Sequence, residues 1–196
     1  MRIDSDRVVV LGTSFGSEAA LLTGALSDEV DAVVAFAPSD VVWAGITRDG
    51  RVTSHWTHDG EVLPFVPFAN DGESEADPPS FVGLYERSRR RFADELAAAA
   101  IEVERIAHLV LVAGGDDRVW PSVTQAEAIR ERRAEHGLST VLVIDPQAGH
   151  RTILPGEPVV AGGVRMQRGG TESADRRLGQ EAWARLSILL GDEPGP

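Results

Sequence analysis

The apolar run Val8-Val9-Val10-Leu11 breaks at Gly12 into Gly12-Thr13-Ser14-Phe15-Gly16 and continues as Ser17-Glu18-Ala19-Ala20-Leu21-Leu22. Such a run, closed by a glycine and followed by helix formers, predicts a buried strand, a tight turn and a helix. In a Gly-x-Ser-x-Gly turn of that kind the serine hydroxyl is exposed and the glycines let strand and helix approach closely. The backbone N–H after the serine then points to where an oxyanion would develop. Ser14 is the candidate nucleophile and Phe15 the candidate oxyanion donor. The same residues also suit a plain glycine-rich turn, so the rest of the chain must supply a base and an acid.

The other candidates are narrowed by what the chain lacks. It has no cysteine, which removes thiolate nucleophiles, thiolate metal sites and disulfides, and all 19 of its basic residues are arginine, which removes lysine chemistry. A net charge of −12 argues against a nucleic-acid partner. The charged start, Met1 to Arg7, is unlike a signal peptide, and no apolar run reaches the roughly 20 residues of a membrane span. A cytoplasmic protein with a small-molecule substrate, no membrane partner, no metal and no cofactor is expected. With 196 residues, 42% of them hydrophobic, one domain covering 1–196 is expected.

Strands are expected at Arg7–Leu11, Asp31–Phe36, Leu109–Ala113 and Val141–Ile144, their continuous apolar character fitting a parallel sheet covered on both faces. Helices are expected after Ser14, with Ala19, Leu22, Ala25 and Leu26 inward, and over Phe81–Ala100, where Arg87 to Arg91 reads as a solvated face. A third helix is expected over Ser122–His136, opened by a Ser122-x-x-Gln125 capping box. The last runs over Ala174–Leu190 with Leu178, Trp183, Leu186 and Leu190 inward. Residues 41–80 carry no periodicity and read as a cap or active-site loop, with an acidic tract from Asp71 to Asp77.

A serine needs a base to take its proton and an acid to orient that base. Following the third strand, Gly114-Gly115-Asp116-Asp117-Arg118-Val119-Trp120-Pro121 sets two carboxylates at the end of a sheet where ligands bind. Asp117 is the preferred acid, with Asp116 expected to cap the turn or form a salt bridge. After the fourth strand, Asp145-Pro146-Gln147-Ala148-Gly149-His150 supplies the base, His150, with Gly149 letting it swing over the sheet edge. The order Ser, Asp, His is that of an α/β-hydrolase fold.

These stretches resemble the C-terminal catalytic domain shared by acyl-CoA thioester hydrolases and bile acid-CoA:amino acid N-acyltransferases, an α/β-hydrolase family. Beyond the elbow, the likeness rests on Pro38 to Gly45, Trp56 to Phe68, Gly115 to Ser122 and Ala148-Gly149-His150. It implies Ser14 as nucleophile, Asp117 as acid and His150 as base. Trp43, Trp56, Phe65 and Phe68 are expected to line an acyl pocket. The acyltransferases carry cysteine where this chain has Ser14, so the resemblance implies hydrolysis of an acyl-CoA. It also implies an N-terminal β-sandwich and further strands ahead of the elbow. Against that pattern the sheet would lack its N-terminal strands, and Phe15 N–H would be the only backbone oxyanion donor identified. The first strand would then offer an unpaired edge through which copies of the chain could associate. The triad does not fix what leaves, so a dienelactone-hydrolase-like or peptidase-like esterase, an acyltransferase, or a silent half-domain pairing with another chain are the competing expectations.

Overall fold

A computed structural model describes residues 7–70, 76–160 and 163–191. The first apolar run forms β1 (Val9–Thr13) and leads directly into α1 (Phe15–Leu26), after which β2 (Ala32–Phe36) pairs parallel to β1. An excursion follows, built from two small antiparallel hairpins, β3 (Ala44–Ile46) with β4 (Val52–Ser54) and β5 (Thr57–His58) with β6 (Glu61–Val62). Then come α2 (Val82–Arg91), α3 (Ala93–Ala99), a 3-10 turn (Val103–Arg105), β7 (His108–Gly114), α4 (Ser122–Glu135), β8 (Val141–Asp145) and α5 (Glu172–Leu190).

The central sheet is parallel throughout, in the order β1-β2-β7-β8. Period-2 alternation sends Val33, Ala35, Leu109 and Leu111 into a core with Leu21 of α1 and Ile129 of α4. Val34, Phe36, Val110 and Val112 point the other way, against Leu178 and Leu186 of α5. Helices therefore cover both faces, which is why β2 is buried at every position. This is the α/β-hydrolase-like arrangement, with all four strand C-termini at one end. Among the described residues β1 forms an edge, with Leu11 exposed.

Several local expectations are corrected. The buried face of α1 is Ser17, Glu18, Ala20, Leu21, Gly24 and Ala25, rotated from the expected Ala19-Leu22-Ala25-Leu26 stripe. The helix expected over Phe81–Ala100 is two, broken at Phe92. Within its arginine run, Arg89 is largely buried and grips Asp40 with two bonds of 2.6 and 2.9 Å, so that part of the run is an anchor and not a solvated face. Ser122 makes no capping box, because its hydroxyl is turned to Asp117. Trp183 and Leu190 of α5 face outward, leaving Leu178 and Leu186 to fill the core. Residues Asp71 to Glu75 of the acidic tract, like Met1 to Asp6, lie outside the described residues.

Burial of one full charge is compensated in place. Arg133 of α4 is fully buried, and its guanidinium donates to the carbonyls of Val103, Ile106, Ala107 and Ser139 and to Thr140 Oγ1. Five acceptors suit the five N–H groups of arginine and of no other side chain.

Candidate active site

Ser14 sits between β1 and α1 with φ 60° and ψ −129°, a backbone region that costs a non-glycine residue about 1–3 kcal/mol. The turn is held from three sides. Ser14 N–H donates to Phe36 O at 3.0 Å, Ser17 N–H returns to Ser14 O at 2.8 Å, and Ser17 Oγ donates to Ser14 O and Ala37 O. Only one of the two glycines is sterically demanded. A Cβ on Gly12 would lie 1.8 Å from Gly16 O, whereas one on Gly16 would meet nothing within 4 Å. With Ser17 and Glu18 N–H both closing on Ser14 O, the Phe15 amide stands at the open start of α1, where helix N–H groups have no intrahelical acceptor.

Asp117 follows β7 and His150 follows β8. Parallel register places Gly114 opposite Asp145, so the two loops leave the sheet side by side. His150 Nδ1 lies 2.8 Å from Asp117 Oδ2, with the side chains only 10% and 2% exposed. Asp117 is also fixed by Val119 N–H at 2.7 Å, Trp120 N–H at 3.2 Å and Ser122 Oγ. The Asp117 oxygen facing the ring orients the Nδ1–H tautomer of the imidazole, leaving Nε2 as acceptor. Asp116 turns away, pairing with Arg118 at 2.6 Å and accepting Gly170 N–H.

The His150 loop is clamped by the chain ahead of α5 and by the first turn of α5. His150 N–H donates to Arg168 O, and Gly149 N–H donates to Asp175 Oδ1, both at 2.8 Å. Gly149 serves close approach and not a reversal of the chain, since a Cβ there would lie 2.4 Å from Gly169 O. Burial and the neighbouring Asp145 and Asp116 raise the Asp175 carboxyl above its ordinary range, against the Gly149 amide.

Ser14 and His150 both line a cavity of about 610 Å³. Its apolar wall is made by Phe15, Ile46, Phe68, Phe81, Leu84 and Met166, while His55, Asn70, Arg151 and Arg168 add polar groups. Aromatic contacts tie the site together. His55 stacks on Phe15 at 4.3 Å, and Trp120 meets Phe15, Tyr85 and His150 edge-on at 5.4–5.7 Å. Burial holds the His55 imidazole below its ordinary range.

Of the four aromatic residues expected in an acyl pocket, Phe68 lines this cavity and three do not. Trp43 is fully buried, its indole N–H given to Ser39 Oγ and its ring packed on Tyr85. Trp56 borders a separate groove with Leu22, Leu26 and Leu63, and Phe65 packs against the core. The walls come instead from the β3–β4 hairpin, from Phe81 with Leu84 and Tyr85 of α2, and from residues 164–168. Among the described residues no cluster of three or more His, Asp and Glu is disposed to hold a metal ion, and no helix is long and apolar enough to cross a membrane.

Residues 2–189 match the family described as BAAT / acyl-CoA thioester hydrolase C terminal. The chain belongs to that family. The BAAT / acyl-CoA thioester hydrolase family is one of hydrolases and acyltransferases acting on acyl-CoA, and its match spans every element of the sheet and the whole cavity. No curated protein matches the chain.

Proposed function

We propose that the chain is a serine thioesterase that cleaves acyl-CoA through an acyl-enzyme at Ser14. The observation that carries this is His150, paired with the buried Asp117 and lining, together with Ser14, one largely apolar cavity. Ser14 Oγ attacks the thioester carbonyl while His150 Nε2 takes its proton, and the imidazolium is stabilised by Asp117. The oxyanion forms against Phe15 N–H at the start of α1. Collapse breaks the C–S bond, and His150 returns the proton to the departing thiol. Water then repeats the sequence on the ester, releasing the acid and restoring Ser14.

The apolar wall suits an acyl chain, and Arg151 and Arg168 at the same cavity suit the phosphates of CoA. Hydrolysis is favoured over transfer because the nucleophile is a serine, the residue the acyltransferases of the family replace with cysteine. Incubation with a fluorophosphonate probe tests the first step: one adduct, on Ser14, absent from Ser14→Ala. Labelling of another serine overturns the mechanism. A panel of acyl-CoA thioesters set against p-nitrophenyl esters and aminoacyl anilides tests the leaving group, with the thioesters expected to be turned over best.

A further inference from the structure

Glu18 lies on the buried face of α1, one turn beyond the nucleophile, where a charge has no ordinary place. It is fully buried, and one of its oxygens is used twice. Oε1 accepts the backbone N–H of Trp43 at 3.0 Å and the indole N–H of Trp56 at 2.8 Å. Oε2 has no hydrogen-bond partner. Trp43 and Trp56 are the two feet of the β3–β4 hairpin, which is closed at its base by His55 N–H to Trp43 O at 3.2 Å. That hairpin contributes Ala44, Gly45, Ile46 and His55 to the catalytic cavity, and His55 is the ring stacked on Phe15.

We propose that Glu18 is a positioning residue which, in its neutral form, staples both feet of the β3–β4 hairpin to the nucleophile helix and so sets the acyl-binding wall beside Ser14. A neutral carboxyl can accept both N–H groups at its carbonyl oxygen. An ionised one would place a charge in the core with its second oxygen unsolvated, and water would have to enter between hairpin and helix. Burial pushes the Glu18 carboxyl up to about 8, the two N–H donors opposing that rise only in part. Among the described residues, the groups facing it offer no cation. Tyr85 of α2 is itself raised by burial and by the charges of Glu18 and Asp117, and His55 of the hairpin is held toward neutrality. Ionisation above pH 8 should therefore loosen the hairpin and not the triad.

The functional half of this proposal rests on the thioesterase reading, so its test has one readout independent of activity. Tryptophan fluorescence of the full chain is titrated from pH 6 to 9.5 in wild type, Glu18→Gln and Trp56→Phe. Wild type should show a transition with a midpoint near 8 that Glu18→Gln lacks, because the amide keeps the neutral acid's shape and cannot ionise. Trp56→Phe should diminish it. In parallel, KM for a long-chain acyl thioester should rise about tenfold by pH 9 in wild type, following the ionised fraction, with little change in kcat, and stay flat in Glu18→Gln. Glu18→Ala should have the raised KM at every pH. A wild-type fluorescence profile without a transition, or one that survives in Glu18→Gln, overturns the staple. The staple is equally overturned if the KM of wild type and Glu18→Gln rises in parallel. If no thioester is turned over and Ser14 does not label, the functional reading fails while the fluorescence titration still decides the staple.

Discussion

The Asp117 carboxylate has donors on both oxygens, and that explains why an amide cannot stand in for it. Val119 and Trp120 N–H hold Oδ1, while Ser122 Oγ and His150 Nδ1 share Oδ2. In Asp117→Asn the two backbone donors keep the amide oxygen, so the NH₂ group faces His150 and forces Nδ1 to become the acceptor. Nε2 then carries the proton and cannot take one from Ser14. A loss of about 10⁴ in kcat is expected with the fold intact, measurable by steady-state kinetics alongside an unchanged melting curve. Ser14→Ala combined with His150→Ala should cost little more than either alone, because the residues act as one unit; additive losses would break the triad assignment. The elbow carries its own signature. Since φ at Ser14 is 60°, Ser14→Gly should be more stable than Ser14→Ala by about 1 kcal/mol, as read by urea denaturation.

At the scale of elements, the β1–α1 junction makes a contrast that pattern alone does not reveal. Gly12→Ala drives a methyl into Gly16 O and should cost more than about 3 kcal/mol or prevent folding, while Gly16→Ala has open space and should be neutral or stabilise by up to about 1 kcal/mol. Thermal melts of the two variants decide it. The same junction shows what a sequence can and cannot reveal. Strand, turn and helix are local chemistry, and so are the Asp117 and His150 loops, whose residues follow strands recognisable by their apolar runs. The hairpins between β2 and α2 and the stretch from 151 to 171 have no period to read, and they supply half the cavity wall. Trp43 and Trp56 look like pocket aromatics because nothing in the sequence shows that their N–H groups are taken by Glu18. Glu18 itself leaves a signal, an acid three residues before Leu21 and seven before Ala25 on the buried stripe of α1. Centring the apolar face on Ala19, Leu22, Ala25 and Leu26 hides it, because that choice leaves Glu18 at the flank of the stripe, one turn before Leu22, where an acid can still reach solvent, and not at its centre.

For the molecule as a whole, the buried acid makes global stability depend on pH with a sign that can be worked out. Glu18 holds its proton in the folded chain up to about pH 8, while the unfolded chain releases it near the ordinary 4.5. Between those values the folded state binds more protons, so stability falls as pH rises: the contribution is complete below 4.5 and lost through 8. The shift sets an upper bound on the order of 5 kcal/mol, which loosening of the hairpin reduces. Other groups must be separated from it. His55, held below 6.5, contributes the opposite slope at lower pH, so the comparison begins at pH 7. Glu104, lowered by its bonds to Arg132, acts only in the acid range. Asp175, raised by burial, slopes in the same direction as Glu18 but is common to wild type and variant. Urea denaturation at pH 7, 8 and 9 should therefore show wild type losing stability faster than Glu18→Gln, with the gap in favour of the variant widening up to about pH 8 and levelling above it. Parallel slopes would mean that Glu18 is already ionised at pH 7 or that it finds water for its second oxygen, and the neutral staple would fall with them.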